Sequence, residues 1–137
     1  MRLDLYQAET ARIAAEQGAL LAQAKGILAT GRGLTALEQS GVLHALQVLI
    51  ENAIGKTKQL LKAQNQPVPV SGYDAFKALA QRGLLDQSDL AAWNAVIGLR
   101  NRIVHDYMNI DMDQVMALVA ADKAQFIVQF LLKEITD

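Results

Sequence analysis

The sequence predicts an all-α protein, an antiparallel up-and-down bundle of about five helices that begins with two long ones. The composition is 52% hydrophobic but only 5% aromatic, which is typical of packed helices rather than of sheets rich in aromatic and β-branched residues. Apolar residues recur at three, four and seven positions, the period of helices with one buried face. A chain of 137 residues fits one domain, so we expect residues 1–137 to form a single core.

The first helix is predicted to run from Asp4 to about Ala29, a stretch without proline. Apolar side chains recur there every seven residues and so line one side of the helix, at Tyr6, Ile13, Leu20 and Ile27, with Leu3, Leu21 and Leu28 nearby. Gly31 and Gly33 then end the pattern, which predicts a turn.

The second helix is predicted from Ala36 to about Gln64. Thr35 and Glu38 have the spacing of a capping box, in which each side chain bonds the backbone N–H of the other residue. One apolar stripe marks the buried face, at Val42, Leu46, Leu49, Ala53 and Leu60, and three lysines are expected to stay in solvent, namely Lys56, Lys58 and Lys62. The two long helices are expected to pack as an antiparallel pair.

Residues 65–72 contain both prolines and are predicted to form a loop. A shorter helix is predicted from about Tyr73 to Gln81, stopping near Gly83. The prolines of residues 65–72 thus separate the two long helices from the second half of the chain.

The fourth helix is predicted to start at Gln87 or Ser88 and to carry Trp93 in the core. Asp111, with Gln114 three residues later, indicates another N-cap. We therefore expect a tight connection there, followed by one final helix through about Lys133.

Charge and composition limit the classes of function. The net charge of −1 at pH 7 argues against binding of nucleic acid through overall positive charge, so any such contact must be local. Cysteine is absent, which excludes a disulfide framework and thiolate metal ligands. No apolar run has the length of a membrane span, and the N-terminus lacks a signal-peptide pattern. We expect a cytoplasmic protein without membrane contact.

The octapeptide at residues 100–107, Arg-Asn-Arg-Ile-Val-His-Asp-Tyr, gathers most of the side chains suited to chemistry. Histidine is the residue whose unperturbed pKa lies nearest neutrality, so His105 suits proton transfer. Arginine is a permanent cation shaped to hold a phosphate, and Arg100 and Arg102 each offer one. The combination indicates phosphate-ester chemistry near the C-terminal end of the fourth helix.

Helix geometry limits how these side chains can meet. At about 100 degrees per residue, His105 points about 140 degrees away from Arg100, whereas Tyr107 lies about 20 degrees from Arg100. Asn101 shares the face of His105. Either the last helical turn deforms to bring Arg100 and His105 together, or the motifs of two subunits face each other across a two-fold axis.

A structural interpretation of the same residues competes with the catalytic one. In it, the charged residues form a solvated salt-bridge cluster and His105 caps the helix; the cluster consists of Arg100, Arg102, Asp106 and Asp111. Spacing alone does not separate the two interpretations, because functional sites and structural ion networks look alike from sequence.

Other candidate sites carry weaker signals. His44 has no partner at the spacing of metal ligands, and no metal site is predicted. The Gly-Arg-Gly at residues 31–33 lacks the full pattern of a phosphate-binding loop and is better explained as a turn.

With these motifs the sequence resembles the HEPN superfamily, and within it the HepT-like toxins of bacterial and archaeal toxin–antitoxin pairs. The family's motif is Arg-x-x-x-x-His-x-Tyr with Asn after the Arg. The segment Gly-Leu-Arg-Asn-Arg-Ile-Val-His-Asp-Tyr at residues 98–107 fits every fixed position, and Arg102 occupies a variable one. Further similar segments follow the family's order across most of the chain, at residues 34–38, 45–54 and 73–85.

The resemblance implies a HEPN-like helical domain that forms a homodimer, with both motifs lining a shared cleft. Active members are metal-independent endoribonucleases that use no cofactor, and mRNA or tRNA is the expected substrate. Carried onto this chain, Arg100 and His105 are the catalytic residues, and Asn101 and Arg102 support the active site.

The resemblance also implies a protein partner. The cognate antitoxin is a minimal nucleotidyltransferase of the MNT type, which can transfer AMP from ATP to the tyrosine of the motif. Here that residue is Tyr107, which is therefore the expected site of AMPylation and of silencing.

Three functional hypotheses remain at this stage. The first is a ribonuclease toxin. The second is a catalytically weak helical binding module that serves as partner and substrate of the nucleotidyltransferase, and the third is a purely structural bundle. The intact Arg100, Asn101 and His105 favour the enzyme, because a pure binding module has no need of this combination.

Overall fold

The computed structural model describes residues 3–135, which form helices and no β-strand. The α-helices are α1 (Leu3–Ala29), α2 (Ala36–Ala63), α3 (Gly72–Gln81), α4 (Leu90–His105), α5 (Met112–Ala120) and α6 (Gln125–Leu132). Short 3₁₀ segments precede and follow α4, at Gln87–Asp89 and Tyr107–Asn109. The predicted all-α class and the two long N-terminal helices are confirmed, and the described residues form six α-helices rather than about five.

The start of α2 is fixed by the predicted capping box. The backbone N–H of Glu38 donates to Thr35 Oγ1 at 3.2 Å, and the backbone N–H of Thr35 donates to Glu38 Oε1 at 2.8 Å. Arg32, in the preceding turn, donates to both carboxylate oxygens of Glu38 at 2.9 Å. This pairing lowers the pKa of Glu38 to about 2. The connection from α1 to α2 is thus held by a carboxylate that stays ionised at neutral pH.

The helix α1 packs through small residues more than through its predicted heptad stripe. It buries Thr10, Ala14, Leu21 and Ala24, whereas the stripe residue Leu20 is exposed and the other three are half-buried. At Gly18 an added Cβ would lie 3.3 Å from a methyl group of Val128 in α6. Close approach of the backbone therefore defines the buried face, which apolar spacing alone did not reveal.

The helix α2 is the centre of the bundle and contacts α1, α3, α4 and α6. Its predicted stripe is buried apart from Leu60, which is half-buried. An added Cβ at Gly55, late in α2, would lie 3.4 Å from the hydroxyl oxygen of Tyr6, early in α1. The two long helices are therefore antiparallel, as predicted.

The expectation that Lys56 stays in solvent is wrong, because this side chain is only 2% exposed. Its amine donates hydrogen bonds to the carbonyl oxygens of Phe130 at 2.7 Å, Leu131 at 3.4 Å and Lys133. Burial lowers the pKa of Lys56 to about 8, so the amine is still protonated at neutral pH. Lys56 thus satisfies the carbonyl groups that α6 leaves unpaired at its C-terminal end.

The predicted final helix is instead two helices, α5 and α6, bent by 61°. Between them Asp122 has a φ of 59°, a left-handed conformation that a continuous right-handed helix does not contain. The Asp122 carboxylate lies 3.4 Å from the amine of Lys25 in α1. Among residues 3–135 no single helix is long and apolar enough to cross a membrane; only α5 and α6 together, across their bend, reach that length and composition.

An aromatic cluster fixes α4 in the bundle. Phe76 of α3 stacks on Trp93 of α4, with ring centroids 4.3 Å apart. Phe126 and Phe130 of α6 meet the indole edge-on, at 4.8 Å and 5.1 Å. Trp93 is 2% exposed, as expected from the sequence, and it determines which face of α4 lies against the core.

Candidate functional site

Arg100 lies on the core side of α4. It follows Trp93 by seven residues, so the two side chains leave the helix within about 20 degrees of each other. Its neighbours Ile97 and Ile103 are buried, and Arg100 itself is half-buried. The Nε atom of Arg100 is buried without a hydrogen-bond partner. The bundle therefore surrounds the stem of this arginine without using its donor.

His105 is the last residue of α4 and is exposed. The helix is regular up to this point, because the N–H of Asp106 still donates to the carbonyl of Arg102 at 2.8 Å. The divergence of about 140 degrees between Arg100 and His105 therefore stands. Deformation of the last helical turn, one of the two ways to unite the pair, does not occur in this chain.

Asn101 is half-buried and Arg102 is exposed. Asn101 lies one helical turn before His105 on the same face, as predicted. Arg102 lies one helical turn after Gly98 and three residues before His105, and it points about 160 degrees away from Arg100. The single chain therefore presents its two arginines in different directions.

The salt-bridge cluster of the structural interpretation is absent from the part of the chain that the structure describes. Arg100, Arg102 and His105 form no ion pair there. The nearby carboxylates are engaged in local turns instead. Asp106 accepts a hydrogen bond from the Asn109 side-chain amide at 2.7 Å, and Asp111 accepts one from the N–H of Gln114 at 3.2 Å. The cations of the motif thus remain available to an anionic ligand.

Tyr107 lies outside the helix that carries Arg100. The predicted angle of about 20 degrees between the two side chains therefore does not apply. The chain leaves the helix at Asp106, where φ is −147° and ψ is 46°, and Tyr107 begins the 3₁₀ turn. The turn is closed by Asn109, whose N–H donates to the Asp106 carbonyl at 3.1 Å. Tyr107 is 49% exposed and the adjacent Met108 is 91% exposed. The phenol therefore stands on a short projecting turn beside His105.

The weaker candidate sites behave as structural features. His44 is exposed on α2, and Gly31 has a φ of 88° in the turn after α1. Within residues 3–135 no three histidine or carboxylate side chains come close enough together to hold a metal ion. The octapeptide remains the strongest candidate.

Two concave surfaces flank α4. A cleft of about 750 Å³ lies at its N-terminal end, beside Lys56, Trp93 and Phe130, far from the motif. A smaller groove of about 340 Å³ lies between α4 and α5, and Arg102 is the motif residue that lines it. Sequence reasoning missed this groove, although small and polar residues spaced four apart on α4 mark its position.

Comparison with known proteins identifies the family. A family model described as Ribonuclease HepT-like matches residues 25–131, which is more than half of the chain. The chain belongs to the HepT-like ribonuclease family. The expected HEPN resemblance is thereby confirmed.

Two relatives are similar to the HepT-like chain over part of its length. The mRNA nuclease HepT of Shewanella oneidensis is 34% identical over 81 residues, which is 59% of this chain and 61% of that protein. A protein of Archaeoglobus fulgidus, provisionally described as an RNase, is 31% identical over 90 residues, 66% of this chain and 67% of that one. The match thus spans about three fifths of the Shewanella protein.

Solved structures resemble the HepT-like chain over most of its length. A mutant MntA–HpeT toxin–antitoxin complex contains a chain with a TM-score of 0.78 and 25% identity, covering 92% of this chain and 94% of that one. A tri-AMPylated Shewanella oneidensis HEPN toxin in complex with its MNT antitoxin gives a TM-score of 0.67 and 26% identity, covering 87% and 93%. Both similar chains therefore come from complexes of a toxin with an antitoxin.

Replacing Arg100 with Met tests whether the bundle uses the guanidinium group. Met keeps an apolar stem and removes the buried, unpartnered Nε, and such an atom costs about 1–3 kcal/mol. We expect the free energy of unfolding, measured in urea, to rise by about 1 kcal/mol. The matched Arg102→Met variant changes an exposed arginine and should shift stability by less than about 0.5 kcal/mol.

The opposite result for Arg100→Met would contradict this account of the site. A loss of about 1 kcal/mol or more would mean that the guanidinium group stabilises the fold. It would then not be free for a ligand.

Proposed function

We propose that this protein is a cytoplasmic ribonuclease toxin, a metal-independent endoribonuclease in which Arg100 and His105 act on RNA. Asn101 and Arg102 support the active site. The observation that carries the proposal is the availability of these groups: the cations and the imidazole form no ion pair among the described residues, while Asp106 and Asp111 are engaged elsewhere. In a structural ion cluster, Asp106 and Asp111 would instead pair with the arginines of the motif.

The chemistry of these side chains suits RNA cleavage without a metal ion. The 2′-hydroxyl oxygen attacks the adjacent phosphorus, and its proton passes to a neutral imidazole. Arginine stabilises the crowded, negatively charged phosphorane, where charge develops in the transition state. The bond to the 5′-oxygen then breaks, and that oxygen takes a proton from an imidazolium. The products are a 2′,3′-cyclic phosphate and a free 5′-hydroxyl.

The direction of the side chains supports a site built from two copies of the chain. Because α4 stays regular through His105, one chain presents Arg100 and His105 on different faces. Two copies related by a two-fold axis can place the arginine of one beside the histidine of the other. Two exposed apolar side chains, Val104 within the motif and Met108 directly after it, suit such a contact. With two histidines in one cleft, one acts as base while the other acts as acid.

Replacing His105 with Ala should abolish RNA cleavage and growth inhibition, because no other group in the motif transfers protons near neutral pH. The loss should be at least about 100-fold, the usual contribution of a general acid–base group. Cleavage of bulk RNA and tRNA by the purified variant measures it. His44→Ala is the matched control, since His44 is also exposed on a helix, and it should cleave like the wild type.

Mixed dimers test whether the two histidines serve one shared cleft. A dimer with one wild-type and one His105→Ala subunit should cleave at well below half the wild-type rate if both histidines serve one cleft. Half the wild-type rate would show two independent sites, and undiminished cleavage by pure His105→Ala protein would refute the catalytic role.

We also propose that an MNT-type nucleotidyltransferase is the partner and that it silences the toxin at Tyr107. The phenol oxygen attacks the α-phosphorus of ATP, pyrophosphate leaves, and the phenol proton is released. The adduct places negative charge and bulk two residues from His105, where it competes with RNA phosphate for the same arginines. The exposed turn that carries Tyr107 gives a modifying enzyme access to the hydroxyl.

Tyr107→Phe should therefore escape AMPylation while keeping most of the cleavage activity, because Phe keeps the ring but offers no nucleophile. Intact mass after incubation with the nucleotidyltransferase and ATP measures the addition of AMP. Tyr73→Phe is the matched control, since Tyr73 is 39% exposed, and it should be modified like the wild type. An adduct that persists in Tyr107→Phe would assign the modification to another residue.

The second candidate function is a helical module that binds the nucleotidyltransferase and has little activity of its own. The exposure of Tyr107 fits the binding module as well as the ribonuclease, because modification needs only an accessible phenol. The half-buried, unpartnered Arg100 favours the enzyme, since a module modified at Tyr107 has no use for it.

A further inference from the structure

The groove between α4 and α5 is built from two facing rows of residues. On α4, Asn94, Gly98 and Arg102 are spaced four apart and so lie on one face of the helix. On α5, Gln114 and Leu118 form the opposite wall. The volume of about 340 Å³ lies at the small end of the range for ligand sites, about 300–1,000 Å³. The groove runs along α4 and reaches the octapeptide at Arg102.

Gly98 keeps the floor of the groove flat. An added Cβ there would lie 3.5 Å from the hydroxyl oxygen of Tyr73, an ordinary contact, so packing does not require glycine at this position. Glycine inside a helix is less stable than alanine by roughly 0.5–1 kcal/mol. Its consequence in this structure is a stretch of backbone without a side chain in the groove lining, next to the apolar side chains of Leu99 and Leu118, which suits the face of a flat ring.

Unengaged polar groups lie along the rim. The side-chain amides of Asn94 and Gln114 are exposed and make no hydrogen bond within the described residues. Each amide offers both donors and an acceptor, the combination that reads the edge of an unpaired RNA base. Arg102, at the end nearest the motif, forms no ion pair there and suits a phosphate.

From these features we infer that the groove binds one nucleoside of the RNA beside the scissile phosphate and sets the sequence preference of cleavage. The base lies on the floor at Gly98, the amides of Asn94 and Gln114 contact its edge, and Arg102 holds its phosphate toward His105. The inference rests on the proposed ribonuclease function and adds specificity residues outside the octapeptide.

The test compares cleavage of a randomised RNA pool by the wild type and by groove variants, with the cut sites read by sequencing. Gly98→Leu adds a bulky side chain to the lining of the groove and should erase the preference at a single nucleotide next to the cut. Gly26→Leu is the control for adding a leucine at a helical glycine outside the groove, where an added Cβ would have nothing within 4 Å, and it should leave the preference unchanged.

Two smaller substitutions keep the test valid if Gly98→Leu misfolds. Asn94→Ala and Gln114→Ala should each lower discrimination at that same nucleotide by about fivefold or more, as expected for loss of a base-edge hydrogen bond. Gln23→Ala, an exposed glutamine on α1, should not. His105-dependent cleavage with an unchanged preference in all three groove variants overturns the inference and leaves the ribonuclease intact.

Crosslinking separates this inference from the ribonuclease proposal. RNA carrying photoreactive 4-thiouridine is bound to His105→Ala protein, so no cleavage is needed, and the crosslinked residues are mapped. Crosslinks on α4 and α5 along the groove support the inference. Crosslinks confined to other surfaces, or a Gly98→Leu protein that changes its oligomeric state because a second copy fills the groove, overturn it.

Discussion

The burial of Trp93 is the interaction on which the geometry of the site depends. The indole stacks on Phe76 and meets Phe126 and Phe130 edge-on, which ties α4 to α3 and α6 and fixes its rotation. Because a helix repeats about every 3.6 residues, this rotation determines where Arg100 and His105 point, two and more turns further along. Arg100 follows the core side, and His105 emerges into solvent. An anchor at one end of α4 therefore orients the motif residues at the other end.

The elements predicted correctly are those specified by neighbouring residues. The capping box at Thr35 and the N-cap at Asp111 each join residues three positions apart, so their spacing was sufficient. Lys56 and the break at Asp122 were missed because their causes lie elsewhere in the chain. Lys56 is buried to satisfy carbonyl groups more than 70 residues away, and Asp122 reverses into a left-handed conformation where α5 and α6 bend to share one core.

The candidate site was recognised from sequence through its residues, but not through its arrangement. Spacing could not distinguish a salt-bridge cluster from free cations, because this depends on what Asp106 and Asp111 bind. The structure shows Asp106 held by Asn109 and Asp111 capping α5. Among the described residues neither acid forms an ion pair with Arg102 or His105. The same departure from the helix at Asp106 places Tyr107 on an exposed turn. The segment at residues 106–111 therefore has two effects. Its acids form hydrogen bonds within local turns, and its turn exposes the Tyr107 hydroxyl to a modifying enzyme.

The chemistry of the RNA ends tests the central claim most directly. If Arg100 and His105 cleave RNA by activating its own 2′-hydroxyl, wild-type protein in excess chelator should leave a 2′,3′-cyclic phosphate and a 5′-hydroxyl. An RNA with a single 2′-deoxy nucleotide at the cut should resist cleavage there. Products that carry a 5′-phosphate, or cleavage that proceeds at the 2′-deoxy position, would contradict the account.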